Sequence, residues 1–364
     1  MWTKPYGRTG KNVSVIGFGG MRFLNPENID ANAELVLYAY DKGINYFDTA
    51  PYYCKDKSED IVGAAIRQMK PGTFYVSTKS SEAKAASYRR DLEKSLKRLG
   101  VSKIHFHHIW CIVTLDKWKL RIEGGAVAEA LKAKAEGLID HIAVSSHLPG
   151  SQLVQVLSEG PFEGVTLGYC AINFPYRQAA IDAAGAKGLG VVTMNPLGGG
   201  LIPQNAAKFD FLRAKGDRSA VEAALRFNVS QPAISSALVG FSTKEHVDQA
   251  VAAVENFKPY PPEHVESIRK RVLESFNSLC TGCGYCLPCP VDINIPQMMD
   301  AYNFKLLQGG KPQAITDRLN DHWGLSPEAA EACTLCGACE ERCTQRLPIR
   351  ERMKEIAALE PKKK

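Results

Sequence analysis

The chain has 364 residues, of which 45% are hydrophobic and 23% charged, and its net charge is +6. This mixture excludes a disordered chain, and the one basic run, at residues 362–364, is interpreted as a solvated tail rather than a nucleic-acid or membrane contact. No apolar stretch reaches the roughly 18 residues that a membrane helix needs, and the first five residues lack a signal-peptide core, so we expect a cytoplasmic protein.

Short β-branched and aromatic runs alternate with helical periods over about the first 255 residues. The runs predict strands at residues 13–18, 44–47, 74–78, 104–109, 139–145, 165–171, 191–194 and 234–239. Helical patterns follow them, between Asp30 and Gly43 and at residues 59–69, 84–99, 125–136, 150–158, 176–187, 218–229 and 243–255. Strict alternation of strand and helix implies parallel strands joined by right-handed crossovers.

Eight such units within about 240 residues predict an α/β protein with a closed (β/α)8 TIM barrel over residues 1–258. The alternative is an open, doubly wound sheet, but the Gly-x-Gly-x-x-Gly fingerprint expected after its first strand is absent from the segment that begins at Gly17. A proline-rich stretch at 259–265 is interpreted as a linker. Residues 266–364 are expected to form a second, small and mainly α-helical domain, and helical patterns occur at 264–277, 295–307, 326–333 and 348–358.

Cysteines are concentrated in the second domain, because eight of the eleven lie between residues 280 and 343, in two runs of four. In a reducing compartment such runs are interpreted as metal ligands rather than disulfides. Three cysteines at two-residue spacing, with a fourth that serves the other cluster, are typical of two-cluster ferredoxins, so we predict a ferredoxin-like domain with two 4Fe–4S clusters. One cluster takes Cys280, Cys283, Cys286 and Cys343, and the other takes Cys333, Cys336, Cys339 and Cys289.

A pair of four-cysteine zinc sites is the alternative interpretation, because such sites also use paired Cys-x2-Cys spacings. Two near-equivalent runs and the Cys289-Pro290 step favour iron–sulfur clusters. The pattern departs in two places, since the first run has two residues rather than three before its last cysteine, and Thr344 stands where proline commonly follows. Neither departure removes a ligand. The barrel cysteines are expected to pack as small apolar residues; they are Cys54, Cys111 and Cys170.

Polar residues at the carboxyl ends of the predicted strands are the candidates for an active site, because barrel enzymes place their sites at that end. These ends hold Asp48, Lys79 and the run from Ile104 to Trp110. Four segments resemble the aldo-keto reductase superfamily, in the branch that carries a ferredoxin-like dicluster domain. They are GINYFDTAPYY from Gly43, KAEGLI from Lys134, VVTMNPLGGG from Val191 and CTGCGYCLPCP from Cys280, and the resemblance covers nearly the whole chain.

The resemblance implies an oxidoreductase that interconverts carbonyl compounds and alcohols. Three catalytic residues carry over as Asp48, Tyr53 and Lys79. The tyrosine, whose ordinary pKa is about 10, exchanges the proton; the lysine ammonium lowers that pKa, and the aspartate holds the lysine. The histidine of the family pattern falls on Trp110. Strand alternation puts His108 on the same inward face as Trp110, about 6.6 Å deeper in the barrel, and turns His107 toward the helices.

The resemblance also implies a nicotinamide cofactor, NADPH or NADH, extended over the later strands without a Rossmann fold. The implied binding residues are Gly20, Met21, Ser145, Ser146, Thr166, Pro196, Leu197, Gly240, Ser242 and Lys244. The segment from Gly240 resembles the family's phosphate-binding turn, where backbone N–H groups at a helix start hold an anion. Five positions depart from the family pattern, namely Ser146, Thr166, Met194, His246 and Ala250.

A nicotinamide transfers two electrons as hydride whereas each cluster transfers one, and no flavin motif is recognisable, so three interpretations remain open. The first is a nicotinamide-dependent enzyme acting on a small-molecule carbonyl or alcohol, whose clusters are structural or exchange electrons with a partner. The second has lost the nicotinamide and receives electrons from ferredoxin or another redox partner through its own clusters. The third is a non-enzymatic iron–sulfur sensor on a barrel scaffold, against which the intact Asp48, Tyr53 and Lys79 argue.

Overall fold

The computed structural model describes residues 1–276 and 278–361, so the lysine run at 362–364 lies outside the described residues. An antiparallel hairpin precedes a closed barrel of eight parallel strands, in which the last strand pairs with the first. The hairpin consists of β1 (Thr3–Pro5) and β2 (Asn12–Ser14). The barrel strands are β3 (Ile16–Gly19), β4 (Tyr46–Asp48), β5 (Tyr75–Ser80), β6 (Ile104–Ile112), β7 (Ile139–Ser146), β8 (Gly164–Gly168), β9 (Gly190–Met194) and β10 (Ile234–Val239). The predicted (β/α)8 barrel is confirmed, and the open sheet is excluded.

The hairpin closes the amino-terminal end of the barrel. The strand predicted at 13–18 is wrong in its extent, because Asn12–Ser14 pairs with β1 and the barrel strand begins only at Ile16. Tyr6, between the two hairpin strands, is fully buried, and its ring centroid lies 4.0 Å from that of Phe106. Gly164 and Gly190 leave room for this side chain, since a Cβ at either position would lie 2.0 or 2.1 Å from a Tyr6 atom. Tyr6 thus fills the end of the barrel opposite the candidate active site.

Helices cover the outer face of the barrel. They are α1 (Ile29–Asp41), α2 (Ser58–Ile66), α3 (Ala85–Leu99), α4 (Leu115–Glu123), α5 (Ala126–Ala135), α6 (Gly150–Glu159), α7 (Gln178–Ala186), α8 (Leu201–Gln204), α9 (Ala220–Ser230) and α10 (Lys244–Val254). The packing of α3 agrees with its sequence pattern. Tyr88 and Leu92, on the predicted apolar face, are fully buried, and Gly100, with φ 70°, ends the helix as predicted. The short helices α4 and α8 were not predicted; they belong to the connections that follow β6 and β9 at the carboxyl ends of the strands.

The C-terminal part is mainly helical. It contains α11 (Pro262–Ser275), α12 (Ile295–Leu307), α13 (Gln313–Arg318), α14 (Ala338–Glu341) and α15 (Ile349–Ala357). Residues from Ile293 to Ile356 form a hydrophobic cluster of their own, which includes Met298, Ile315 and Met353. This small helical unit follows the barrel, as the fold class predicts.

The linker predicted at 259–265 does not stand apart from the barrel. Pro262 starts α11, in keeping with the preference of proline for the first turn of a helix. Ile268 and Val272 of α11 are fully buried in the same hydrophobic cluster as Phe209 and Phe227 of the barrel. The chain therefore leaves the barrel surface after α11, about ten residues later than the proline-rich composition indicates.

Among the described residues, none of the helices combines the length and the apolar character that a membrane span requires.

Candidate active site and cysteine groups

Asp48 and Lys79 form a buried ion pair at the carboxyl end of the barrel. The Lys79 ammonium nitrogen lies 2.7 and 2.6 Å from the two Asp48 carboxylate oxygens and 2.7 Å from the carbonyl oxygen of Thr49. Ser77 donates a further hydrogen bond of 2.6 Å to Asp48 Oδ1. The two charged side chains are only 1% and 5% exposed. The two Asp48 oxygens and the Thr49 carbonyl oxygen thus provide an acceptor for each of the three ammonium protons. Burial lowers the pKa of Lys79, and the Asp48 carboxylate opposes this shift.

Tyr53 lies beside this pair, in the loop that follows β4. Its ring centroid is 5.6 Å from that of Trp110, at an interplanar angle of 87°, and the Lys79 nitrogen is 5.2 Å from the Tyr53 ring centre. The loop is tightly coiled, because Tyr52, Cys54, Lys55 and Asp56 all have positive φ. Burial raises the pKa of Tyr53 well above its usual value, and Tyr285 and Asp48 add to this effect. Tyr53 therefore carries its proton at neutral pH. The expectation that Lys79 lowers the pKa of Tyr53 is not met, because burial has the larger effect.

The histidines of β6 point to opposite faces, as alternation predicts. His108 faces the barrel interior, where Nε2 lies 2.9 Å from the Thr166 hydroxyl and Nδ1 lies 3.3 Å from the Thr78 carbonyl oxygen. His107 faces α3 and lies 2.6 Å from the Tyr88 hydroxyl. Burial lowers the pKa of His108 to about 3, so its ring is neutral. Both ring nitrogens of His108 have partners inside the barrel, below its rim. Of His107, His108 and Trp110, it is therefore Trp110 that contacts Tyr53.

The residues implied to bind a nicotinamide lie along one arc of the barrel rim. Gly20 and Met21 follow β3, Ser145 and Ser146 end β7, Thr166 is in β8, Pro196 and Leu197 follow β9, and Gly240, Ser242 and Lys244 follow β10. These five strands are consecutive neighbours in the barrel. The arc is continuous with Asp48 and Lys79 on the next two strands, β4 and β5.

Hydroxyl groups on this arc differ in whether they are free. The buried Ser145 hydroxyl has no hydrogen-bond partner in the described structure, so it can bind a ligand. Ser146 donates to the carbonyl oxygen of Ile112 at 2.9 Å, and the Thr166 hydroxyl is held by His108. Of these three residues, Ser145 is the one whose hydroxyl is left without a partner in the described structure.

A cation that the sequence analysis missed lies at the turn after β10. The Arg22 side chain covers Gly240, since a Cβ at Gly240 would lie 2.4 Å from Arg22 Cγ, and Ser242 donates to the Arg22 carbonyl oxygen at 2.8 Å. Lys244 begins α10, and its ammonium lies 5.2 Å from the Tyr38 ring centre. A helix N-terminus with two nearby cations fits a phosphate group.

The eight cysteines of the C-terminal part fall into two groups. Cys280 has Cys283, Cys286 and Cys343 as its electrostatic neighbours. The N–H groups of Gly282 and Leu347 approach the sulfurs of Cys280 and Cys343 at 3.4 Å in each case. We call these four cysteines the inner group.

The second set consists of Cys289, Cys333, Cys336 and Cys339, which we call the outer group. Its four cysteines line one cavity, together with Cys286 and the apolar side chains of Ile293 and Met353. In residues 1–276 and 278–361, no three Cys, His, Asp or Glu side chains converge on one point as the ligands of a single ion do.

Three contacts hold the inner group against the mouth of the barrel. Gly199, after β9, lies so close to Thr281 that a Cβ would be 2.0 Å from the Thr281 carbonyl oxygen. Arg177 donates to the carbonyl oxygen of Thr344, the neighbour of Cys343. The ring of Tyr285, between Cys283 and Cys286, lies 4.3 Å from that of His147.

Tyr285 completes the barrel mouth, and the sequence analysis missed it. Its hydroxyl interacts with the Trp110 indole, and its environment includes Asp48 and Cys111. His147, against which it packs, is 4% exposed and has an unpartnered Nε2. No periodicity marks Tyr285; only its position inside a cysteine run adjoining the candidate site could have drawn attention to it.

This geometry agrees with a match to a known family. The Aldo/keto reductase family model matches residues 15–272, more than half of the chain. The chain belongs to this family. The 4Fe-4S dicluster domain model matches residues 277–347, so this aldo/keto reductase carries a C-terminal dicluster domain, and the predicted membership is confirmed on both counts.

Known relatives support the same assignment. L-galactose dehydrogenase of Arabidopsis thaliana is 28% identical over 284 residues, which are 69% of this chain and 87% of the plant protein. Pyridoxal 4-dehydrogenase of Microbacterium luteolum is 23% identical over 324 residues, which are 70% of this chain and 94% of that protein. The holo form of an aldo-keto reductase from Bacillus halodurans superposes with a TM-score of 0.66 at 21% identity, over 74% of this chain and 96% of that one. The first two relatives are oxidoreductases, and the third shows the fold.

Proposed function

We propose that this aldo/keto reductase interconverts a small carbonyl compound and its alcohol, with Tyr53 as the residue that exchanges the proton. The supporting observation is the buried Lys79–Asp48 pair, whose ammonium lies 5.2 Å from the Tyr53 ring centre. A buried ion pair with every ammonium proton engaged is a fixed positive end beside the tyrosine. This arrangement suits a reaction in which the tyrosine becomes transiently negative.

The protonated form of Tyr53 is the one that acts when a carbonyl compound is reduced. When hydride adds to a carbonyl carbon, the carbonyl oxygen becomes an alkoxide and needs a proton. Tyr53 carries that proton, because burial raises its pKa, and Lys79 stabilises the phenolate that remains after transfer. In the oxidative direction the same groups act in reverse, because a Tyr53 phenolate beside the Lys79 ammonium would accept the proton of the alcohol.

NADPH or NADH is the proposed source of the hydride. A nicotinamide supplies two electrons and a proton as hydride when it is bound. Ser145, with its free hydroxyl, would hold the carboxamide, while Arg22, Lys244 and the N-terminus of α10 would hold a phosphate. Ferredoxin, or another one-electron carrier, is the candidate redox partner of the dicluster domain.

Titration calorimetry tests the nucleotide proposal. We expect anaerobically reconstituted protein to bind NADPH or NADH in the micromolar range. Ser145→Ala should weaken binding by about fivefold to tenfold, since a hydrogen bond contributes about 1 kcal/mol. Ser158→Ala is the matched control, because that hydroxyl bonds only within α6. No binding of either nucleotide, with clusters intact, would contradict the proposal.

That contradictory outcome would support the second candidate function, a nicotinamide-independent oxidoreductase fed by ferredoxin. The observation that favours it is the Thr166–His108 hydrogen bond, which commits the Thr166 hydroxyl to the barrel interior. The non-enzymatic sensor is set aside, because the family and its relatives indicate an oxidoreductase.

Two 4Fe–4S clusters are proposed for the dicluster domain, one on the inner group and one on the outer group. We expect about eight iron and eight sulfide per chain after anaerobic reconstitution. Cys336→Ser, in the outer group, should lower both contents, whereas Cys170→Ser, at a buried barrel cysteine, should change neither. Bound zinc without sulfide would contradict the assignment.

A further inference from the structure

Two buried arginines lie beside the inner group. Arg177, ahead of α7, is 3% exposed, and Arg352, in α15, is 4% exposed. Among the described residues, neither guanidinium forms an ion pair with an aspartate or glutamate. Arg177 donates to the carbonyl oxygens of His147, Leu148 and Thr344. Arg352 donates to the Ser278 carbonyl oxygen at 2.8 Å, and its guanidinium lies 4.5 Å from the Tyr302 ring centre.

A cation taken out of water needs a negative charge nearby, since its burial otherwise costs several kcal/mol. The carbonyl oxygens beside both arginines, and the Tyr302 ring beside Arg352, offset only part of the free energy that burying the two charges costs. The groups that favour the charged form of Arg177 are Cys170, Cys283 and Cys343. Those of Arg352 are Tyr302, Cys280, Cys343 and Glu355, so two of the four belong to the inner group. Burial and the charge of the exposed Arg346 together lower the pKa of Arg177 to about 10, although the nearby cysteines oppose both effects. Two buried arginines, one from the barrel and one from the C-terminal part, thus adjoin the inner group through the carbonyl oxygens of Thr344 and Ser278.

The outer group has a different electrostatic environment. One neighbouring arginine, Arg350, is half exposed and is paired with Glu340 at 2.8 Å. A second, Arg342, donates to the Pro288 carbonyl oxygen at 3.4 Å in an exposed position, where solvent screens its charge. Glu340 also follows Cys339 directly in the chain and adds a negative charge beside the outer group. Cys336 is exposed to solvent. No buried, unpaired cation adjoins this group in the described part of the chain.

We propose that Arg177 and Arg352 give the inner group the higher reduction potential of the two, so that an electron entering the domain comes to rest next to the barrel. This inference rests on the proposed pair of clusters. Reduction adds one negative charge to a cluster, and a fixed cation in a dry environment stabilises that charge. The two arginines act on the inner group by position and charge, and take no part in the chemistry on the substrate.

A redox titration of the reconstituted full chain, followed by electron paramagnetic resonance, tests this inference. We expect two one-electron steps. Arg177→Gln should lower the equilibrium constant for reduction in the higher-potential step by at least about tenfold, which for one electron lowers the midpoint potential by about 59 mV. The midpoint potential of the other step should not change. Arg177→Lys retains a charge and should restore most of the difference. Arg213→Gln is the control, because that arginine is exposed and paired with Asp210.

Arg352→Gln gives an independent test, because Arg352 adjoins the inner group from the C-terminal part of the chain. It replaces the first test if Arg177→Gln does not take up its clusters. We expect Arg352→Gln, like Arg177→Gln, to lower the midpoint potential of the higher-potential step. The inference is overturned if the charge-removing variants move both steps equally or move neither. Protein that contains no iron and sulfide would instead refute the proposed clusters, so the two failures are distinguishable by analysis of the wild-type chain.

Discussion

Tyr53→Phe is expected to lower the turnover of a carbonyl substrate by about 10²- to 10⁴-fold, the range that a positioned general acid contributes. The substitution removes only the hydroxyl, so the T-shaped contact of the ring with Trp110 is preserved. Nucleotide affinity should therefore be unchanged, and the loss should appear in kcat. Steady-state kinetics and the calorimetric titration together measure both quantities.

Tyr52→Phe is the matched control for this variant. Tyr52 precedes Tyr53 in the same coiled loop, but it is 59% exposed and points away from the buried pair into solvent. Its substitution should leave turnover unchanged. Full activity of Tyr53→Phe would show that the proton comes from another group, and the role proposed for Tyr53 would then be wrong.

Asp48→Asn is expected to lower the free energy of unfolding of the barrel by about 3–5 kcal/mol, because it leaves the Lys79 ammonium buried without a counter-charge. Both carboxylate oxygens now accept from Lys79, and one also accepts from Ser77. An amide can replace only part of this set. Urea unfolding, followed by circular dichroism with the clusters intact, measures the change.

A double-mutant cycle separates the charge from the lost contacts. Asp48→Asn combined with Lys79→Met should recover part of the stability, because the uncompensated cation is removed as well. Asp248→Asn is the control, since it breaks the exposed pair with Lys42, where solvent screens the interaction. If Asp48→Asn were as stable as the wild-type chain, Lys79 would have to be neutral in the native state, and the fixed cation beside Tyr53 would be lost from the proposal.

Sequence pattern alone determined the barrel and most of its rim. The alternation of strands and helices is local, so the eight strands were predicted with boundaries off by a few residues. Because parallel strands present their carboxyl ends at one rim, Asp48 and Lys79 could be expected to meet, and the structure brings them within 2.6 Å. Alternation along β6 likewise placed His108 inside the barrel.

The tertiary structure alone decided what closes that rim. Tyr285 reaches Trp110 and His147, Arg177 reaches Thr344, and α11 returns to the barrel surface, each across a long separation in sequence. Such contacts depend on how the dicluster domain docks, and no periodicity within either segment encodes it. The same holds for the charge balance of the inner group, because a buried arginine is recognisable as a counter-charge only once the cysteines beside it are known.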